Sequence, residues 1–325
     1  MSETEDNLLP ENLKRSLKIQ PAETEGPKIM CMGDYKVKHE VGEGSFSVVY
    51  AATERAEPNR EVAIKMCIKK QIIKLKRVDA VHREKEVLAR LSTSANRNPF
   101  IIVLFATFQD NEHLYFVTSF AKHGDLLHVM LKRPEKSFSL AETVFYSSEL
   151  LHALQHLHKL SILHRDVKPE NCLLAESGHL LLSDFGVVKD FTIPPKAAQS
   201  PGRVRRSSFV GTAQYVSPEI LEGEEQSSAV DLWSFGVVVF QLLSGRHCFH
   251  DESEYLIFKR IQKLLYKFPD NFPPEAKDLI EGLLVIEPKK RLGTEGTGGP
   301  DALRRHSFFT GVDWTNLEAV KPPEI

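Results

Sequence analysis

Apolar and polar positions alternate through residues 41–51 and 61–67, with polar turn residues between the two runs. A period of two marks strands that bury one face, so this stretch predicts an antiparallel β-meander. The period lengthens over residues 78–91, where Val78, Val81, Val87, Leu88 and Leu91 fall on one helical face. Strand-like runs return over 101–108 and 113–120, so the first 120 residues predict a sheet with one helix. Beyond Gly124 helical spacing dominates: residues 141–160, a thoroughly apolar 230–244, and shorter stretches over 254–267 and 274–286. A short strand is expected at 180–183. Sheet first and helices after predicts the α+β class. Residues 1–33 are polar, with Pro10, Pro21, Gly26 and Pro27, and predict a disordered tail, although Leu8, Leu9, Leu13 and Leu17 would share a face of a short helix. The stretch from 186 to about 216 contains Pro194, Pro195, Pro201 and Gly202, and a loop of that length is functional or disordered.

Composition narrows the class without choosing a function. The chain has 325 residues, 42% hydrophobic and 26% charged, enough to bury a substantial core. Its 42 Lys and Arg nearly balance 44 Asp and Glu, which gives no global electrostatic case for nucleic acid or membrane binding. Cys31, Cys67, Cys172 and Cys248 lie far apart with no C-x-x-C pair, so a disulfide framework and a cysteine zinc site are not expected. The acidic N-terminus is unlike a signal peptide and the longest apolar run is too short to cross a bilayer, so a cytoplasmic chain is expected. His152 and His156 stand at i, i+4 like two zinc ligands, but no Glu follows His152 as H-E-x-x-H requires.

Four motifs carry chemistry. Val41-Gly42-Glu43-Gly44-Ser45-Phe46-Ser47, followed by Val49, is a glycine-rich hairpin tip that lets backbone N–H groups approach phosphates. A strand rather than a helix follows it, so it is not a dinucleotide-binding fingerprint, and Ser47 stands at the third glycine position of G-x-G-x-x-G. Val62-Ala63-Ile64-Lys65 places an ammonium in a buried strand pattern, where it needs an anion. A nucleotide phosphate and Glu84 of the next helix are the candidates; an edge-strand surface lysine is the alternative. In His164-Arg165-Asp166-Val167-Lys168-Pro169-Glu170-Asn171, Asp166 can accept a hydrogen bond from an attacking hydroxyl. Lys168 can neutralise a transferring phosphoryl group, and Asn171 can offer an oxygen to Mg²⁺. Asp184-Phe185-Gly186 then supplies a second metal-holding carboxylate, Asp184.

In this order and spacing, and with Ser217-Pro218-Glu219, Asp231-Leu232-Trp233 and Arg291 beyond, the chain resembles the protein kinases from about Tyr35 to Phe309. The segment Ser208–Glu219, with Gln214-Tyr215-Val216, is similar to the AGC group, in particular to its upstream members. The resemblance implies a bilobal fold over residues 34–309, with a smaller lobe over about 34–119, a larger one over about 122–309 and a short tail over 310–325. It implies a serine/threonine kinase that uses ATP and Mg²⁺, phosphorylates activation loops of other AGC kinases and autophosphorylates at Ser208. Adenine would lie between Val49, Ala63 and Leu173 and bond to backbone over Ser119–Ala121, with Asp125 at the ribose. Arg165, Lys189 and Arg83 would hold the Ser208 phosphate. A phosphorylated hydrophobic motif of the substrate kinase would dock on Lys69, Ile72, Ile73, Val78, Val81, Lys85, Thr107, Gln109 and Leu114; ordinary helix-on-sheet packing is the alternative for this set. Lys85 stands where an arginine would grip bidentately, and residues 92–98 lengthen the connection after the helix. With no pleckstrin-homology domain in the sequence, direct phosphoinositide binding is not expected. Another AGC kinase with different substrates, or a catalytically silent scaffold, are the competing functions.

Overall fold

A computed structural model describes residues 30–192 and 213–325. The chain divides into two compact units, one comprising residues up to 97 with 102–120, the other 98–101 with 121–325.

The first unit is built on a five-stranded antiparallel sheet: β1 (Tyr35–Gly44), β2 (Ser47–Glu54), β3 (Glu61–Ile68), β4 (Leu104–Gln109) and β5 (His113–Ser119), in the order β1-β2-β3-β5-β4. Alternation along the strands divides its two faces. Tyr35, Ala52, Val62, Ile64, Tyr115 and Val117 form one apolar layer, with Met66 and Phe108 packed against it. Ala63, Lys65 and Cys67 therefore point to the opposite face, where Val49 pairs directly with Lys65 and Ala51 with Ala63. β3 is the central strand, so Lys65 is not an edge-strand surface residue.

Two helices, not the expected one, follow β3: α1 (Lys69–Lys74) and α2 (Val78–Leu91). The six residues Lys-Lys-Gln-Ile-Ile-Lys are too short and too polar to display a helical period, and Lys76 breaks the run with φ 54°. The spacing of α2 was legible because Val81, Val87, Leu88 and Leu91 are all buried on one face.

The second unit is mainly helical. In chain order it contains α3 (Leu126–Lys132), α4 (Leu140–Lys159), α5 (Pro218–Glu222), α6 (Ala229–Ser244), α7 (Glu254–Gln262), α8 (Pro274–Leu283) and α9 (Gly299–Arg304). Short strands form two small pairings: β6 (Ile162–Leu163) with β9 (Lys189–Asp190), and β7 (Cys172–Leu174) with β8 (Leu180–Leu182). The capping box of Ser139 and Glu142 starts α4. Helix α6 is its most buried element, from Ala229 through Leu242. The helices expected over 254–267 and 274–286 stop at Gln262 and Leu283; Leu264 adopts φ 52°, which no right-handed helix contains. Among the described residues no helix is long and apolar enough to cross a membrane.

Gly245 ends α6 at φ 67°, and a Cβ there would lie 2.5 Å from the Lys136 carbonyl oxygen. Gly245→Ala is expected to cost about 1–3 kcal/mol, read as a lower urea midpoint at unchanged slope. An unaltered midpoint would show that the Lys136 turn yields freely.

Candidate active site

In the first unit, Lys65 Nζ donates to Glu84 Oε1 at 2.6 Å. Glu84 is 4% exposed, so the pair supplies the anion that a lysine on a central strand requires. β1 and β2 meet at a two-residue turn, Ser45-Phe46, and the Phe46 carbonyl accepts from Ile68 N at 2.9 Å, tying the hairpin tip to the end of β3. A Cβ on Gly42 would meet nothing within 4 Å, so that side of the hairpin backbone is open to approach. Ser119 spends its N–H on the Val103 carbonyl at 3.0 Å.

The proposed docking residues also lie in this unit, on α1, α2, β4 and β5 or their ends. Ile72, Val81 and Leu114 are 3–4% exposed and form packed floor, whereas Ile73 is 43% exposed. Lys69 Nζ donates to the Asp110 carbonyl, and Thr107 Oγ1 is a buried hydroxyl with no partner among the described residues. Burial pulls the Lys85 ammonium below its ordinary range, against the opposing charge of Glu86. Gln109 and Val78 reach the surface more fully.

In the second unit, the catalytic-loop candidates converge within hydrogen-bonding distance. Lys168 Nζ donates to Asp166 Oδ2 at 2.8 Å. Asn171 Nδ2 donates to the Asp166 carbonyl at 2.7 Å and to its Oδ2 at 2.9 Å. With its amide nitrogen committed, Asn171 keeps its side-chain oxygen as the metal-facing atom. Ser183 N and Oγ both donate to the Asn171 carbonyl, at 2.9 and 3.0 Å, which fixes the loop to the end of β8. Asp184 follows at φ 60°, exposed, while Phe185 is fully buried against the His164 ring at 5.2 Å. Asp125 caps α3 through Oδ1, donated to by His128 N at 2.8 Å, and pairs by backbone with Leu173. Burial raises the Glu170 carboxyl, whose Oε2 has no partner among the described residues.

One support, Asp231, was not assigned a role from sequence. Asp231, fully buried on α6, accepts from His164 N at 2.9 Å, Arg165 N at 2.8 Å and pairs with His158 Nε2 at 2.8 Å. Burial alone would raise its carboxyl; the His158 bond, the charges of His158 and His164 and the Arg165 N–H hold it below the usual range. The signal was present as a single acid within an otherwise apolar helix. Arg165, at φ 66°, donates Nε to the Val187 carbonyl at 2.6 Å and Nη1 to Gln226 Oε1 at 3.1 Å. Lys189 lies over the Phe191 ring at 4.5 Å; burial, then the charge of Arg165, lowers its ammonium against Glu225. Arg83 belongs to α2 of the first unit. Ser208 lies outside the described residues.

Among the described residues no three His, Cys, Asp or Glu side chains gather as a metal cluster, beside His152 and His156 or elsewhere. The Asn171 oxygen and the Asp184 carboxylate nonetheless suit magnesium, a hard ion that is held by one or two protein oxygens together with phosphates and water.

A lysine–glutamate pair on a central strand and helix, with an Asp-Lys-Asn loop hung from a buried aspartate, define a phosphoryl-transfer class of domain, and the chain belongs to the protein kinase family, whose domain matches residues 35–309. Within that family it is similar to 3-phosphoinositide-dependent protein kinase 1 of Homo sapiens, 45% identical over 292 residues, covering 90% of this chain and 50% of the relative. A putative human 3-phosphoinositide-dependent protein kinase 2 is likewise 45% identical, with 70% of that protein covered. The Arabidopsis thaliana 3-phosphoinositide-dependent protein kinase 1 is 39% identical, with 58% covered. The chain thus spans about half the length of the human protein kinase 1 it matches.

Proposed function

We propose that this chain is a serine/threonine protein kinase that phosphorylates the activation loops of other AGC kinases. The observation that carries the catalytic part is the Asp166 carboxylate, gripped by Lys168 and Asn171 beside the exposed carboxylate of Asp184. Lys65, oriented by Glu84, holds the α- and β-phosphates of ATP, and the glycine-rich hairpin of residues 42–47, open at Gly42, covers them. With the Ser119 N–H already engaged, the Ser119 carbonyl and the Ala121 backbone face the adenine, and Val49, Ala63 and Leu173 contact the ring. Asp125 Oδ2, the oxygen not used as helix cap, receives the ribose hydroxyl. Asn171 and Asp184 would hold the magnesium that accompanies ATP, and the ion would neutralise phosphate charge there. Asp166 orients the acceptor hydroxyl and takes its proton, and Lys168 balances the charge that builds on the moving phosphoryl group.

The partner reading rests on the first unit. Buried Ile72, Val81 and Leu114 beneath exposed Ile73 provide an apolar seat, and the desolvated Lys85 with Lys69 and Gln109 provides the phosphate grip for a hydrophobic motif. Ser208 is the proposed autophosphorylation site, with Arg165, Lys189 and Arg83 as its cations. The four free thiols accord with a reducing, cytoplasmic setting.

The test uses the full chain, labelled ATP and an AGC activation-loop protein, with and without a phosphorylated hydrophobic-motif peptide. Label is expected on Ser or Thr, and the peptide is expected to raise the rate several-fold. Ile73→Glu, which puts a charge in the apolar seat, is expected to remove the stimulation. No transfer to any protein acceptor sinks the catalytic reading; transfer indifferent to the peptide sinks the docking reading.

A further inference from the structure

The face of α4 that carries His152, Gln155, His156 and Lys159 takes no part in the chemistry above. The spacing i, i+3, i+4, i+7 stacks these side chains in one stripe. Gln155 is 4% exposed and both ends of its amide are spent: Nε2 donates to the Pro300 carbonyl at 3.2 Å, and Oε1 accepts from Arg304 Nε at 2.6 Å. The Arg304 guanidinium also lies over the Trp314 ring, 5.0 Å from its centroid. It is therefore fixed from two sides, while Nη1 and Nη2 donate to no described residue. The Lys159 ammonium is exposed and likewise donates to no described residue.

Burial lowers the Arg304 guanidinium, and Asp301 is the carboxylate whose charge opposes that effect. His152 accepts from Asn98 Nδ2 at 3.1 Å through Nδ1, which requires its neutral ring. Burial, then the charges of Arg304, His156 and Lys159, hold that ring down to about 4.

We propose that this stripe, with Arg304 as its fixed fork, binds a compact phosphate-bearing anion. Two parallel N–H donors on a planar guanidinium match paired phosphate oxygens. Because Arg304 is already ordered, gripping an anion costs little further side-chain entropy. The Arg304 guanidinium and the exposed Lys159 ammonium together favour a multiply charged anion over a single carboxylate. A soluble inositol polyphosphate and a phosphorylated lipid headgroup share this chemistry.

Trp314 provides the readout, since it lies under Arg304 while the other tryptophan, Trp233, is wholly buried. The full chain is titrated with pyrophosphate and with inositol hexakisphosphate, and sedimented with phosphatidylcholine vesicles with and without phosphatidic acid. A saturable change in Trp314 emission is expected. Arg304→Lys, which keeps the charge and loses the fork, is expected to weaken binding at least tenfold. Lys159→Glu, a surface change outside the Gln155 contacts, is expected to weaken it by a similar factor, and remains readable should the Arg304 variant fold poorly. Cosedimentation that depends on phosphatidic acid and on Arg304 assigns the anion to a lipid headgroup; soluble binding without cosedimentation assigns it to a free phosphate. No saturable response to either soluble anion, or equal affinity in native and Lys159→Glu protein, overturns the proposal.

Discussion

Asp184→Ala is expected to slow phosphoryl transfer by about 10³-fold or more while leaving the fold intact. Asp184 is exposed and accepts from the Gly186 N–H through Oδ1 at 3.2 Å, so the side chain adds little to the packed core. Its left-handed backbone, φ 60°, aims the carboxylate from the end of β8, next to the strand residue that anchors Asn171. Alanine supplies no oxygen to a divalent ion, and no second acid stands ready in a metal-holding cluster among the described residues. Single-turnover kinetics with labelled ATP, read beside the thermal midpoint, separates loss of chemistry from loss of fold. A variant that transfers phosphate at the native rate removes Asp184 from the mechanism. Lys65 is a less clean probe, because its truncation also removes the ammonium paired with the buried Glu84.

The largest stability effect is expected at Glu219→Ala. Glu219 and Arg291 are 2% and 0% exposed and form a bidentate pair, Nη1 to Oε1 at 2.6 Å and Nη2 to Oε2 at 2.7 Å. Arg291 further donates to the carbonyls of Ala229 and Val285 at 2.7 and 2.8 Å and lies 5.0 Å from the Trp233 ring centroid. Removing the carboxylate strands a guanidinium in the core, at a cost of about 3–5 kcal/mol. For a unit of this size that corresponds to a fall in thermal midpoint of roughly 6–20 °C by scanning calorimetry. The double replacement Glu219→Leu with Arg291→Met is expected to lose less than the single one, because no charge is left unpaired. A single variant as stable as the native chain would mean that water reaches Arg291.

Much of this architecture was readable where the physics is local. The sheet of the first unit was readable through alternation, because one face is a continuous apolar layer, but the run expected over 41–51 crosses the Ser45-Phe46 turn and β1 begins at Tyr35. Asp166, Lys168 and Asn171 lie within five residues, so their mutual bonds needed only one loop. Lys65 and Glu84, nineteen apart, required the further inference that a helix packs on the lysine's side of the sheet. Glu219 and Arg291 are separated by 72 positions, and no spacing rule links an acid on one helix to a base beyond another. Helices α1 and α3 escaped notice because six or seven residues show less than two turns of pattern; the Asp125 cap was the one local signal for α3. The premature end of α7 is set at Leu264, a residue type that gives no warning of a left-handed turn.

The hanging of His164 and Arg165 from Asp231 ties turnover to the middle of the second unit. That carboxylate sits on a helix whose neighbours are Val230, Leu232 and Trp233, all buried. Any loosening of hydrocarbon packing around this rod shifts the peg from which the proton acceptor is suspended. Catalytic output therefore acts as a gauge of interior tightness, and substitutions far from any substrate will register as slow enzymes well before they register as unfolded ones.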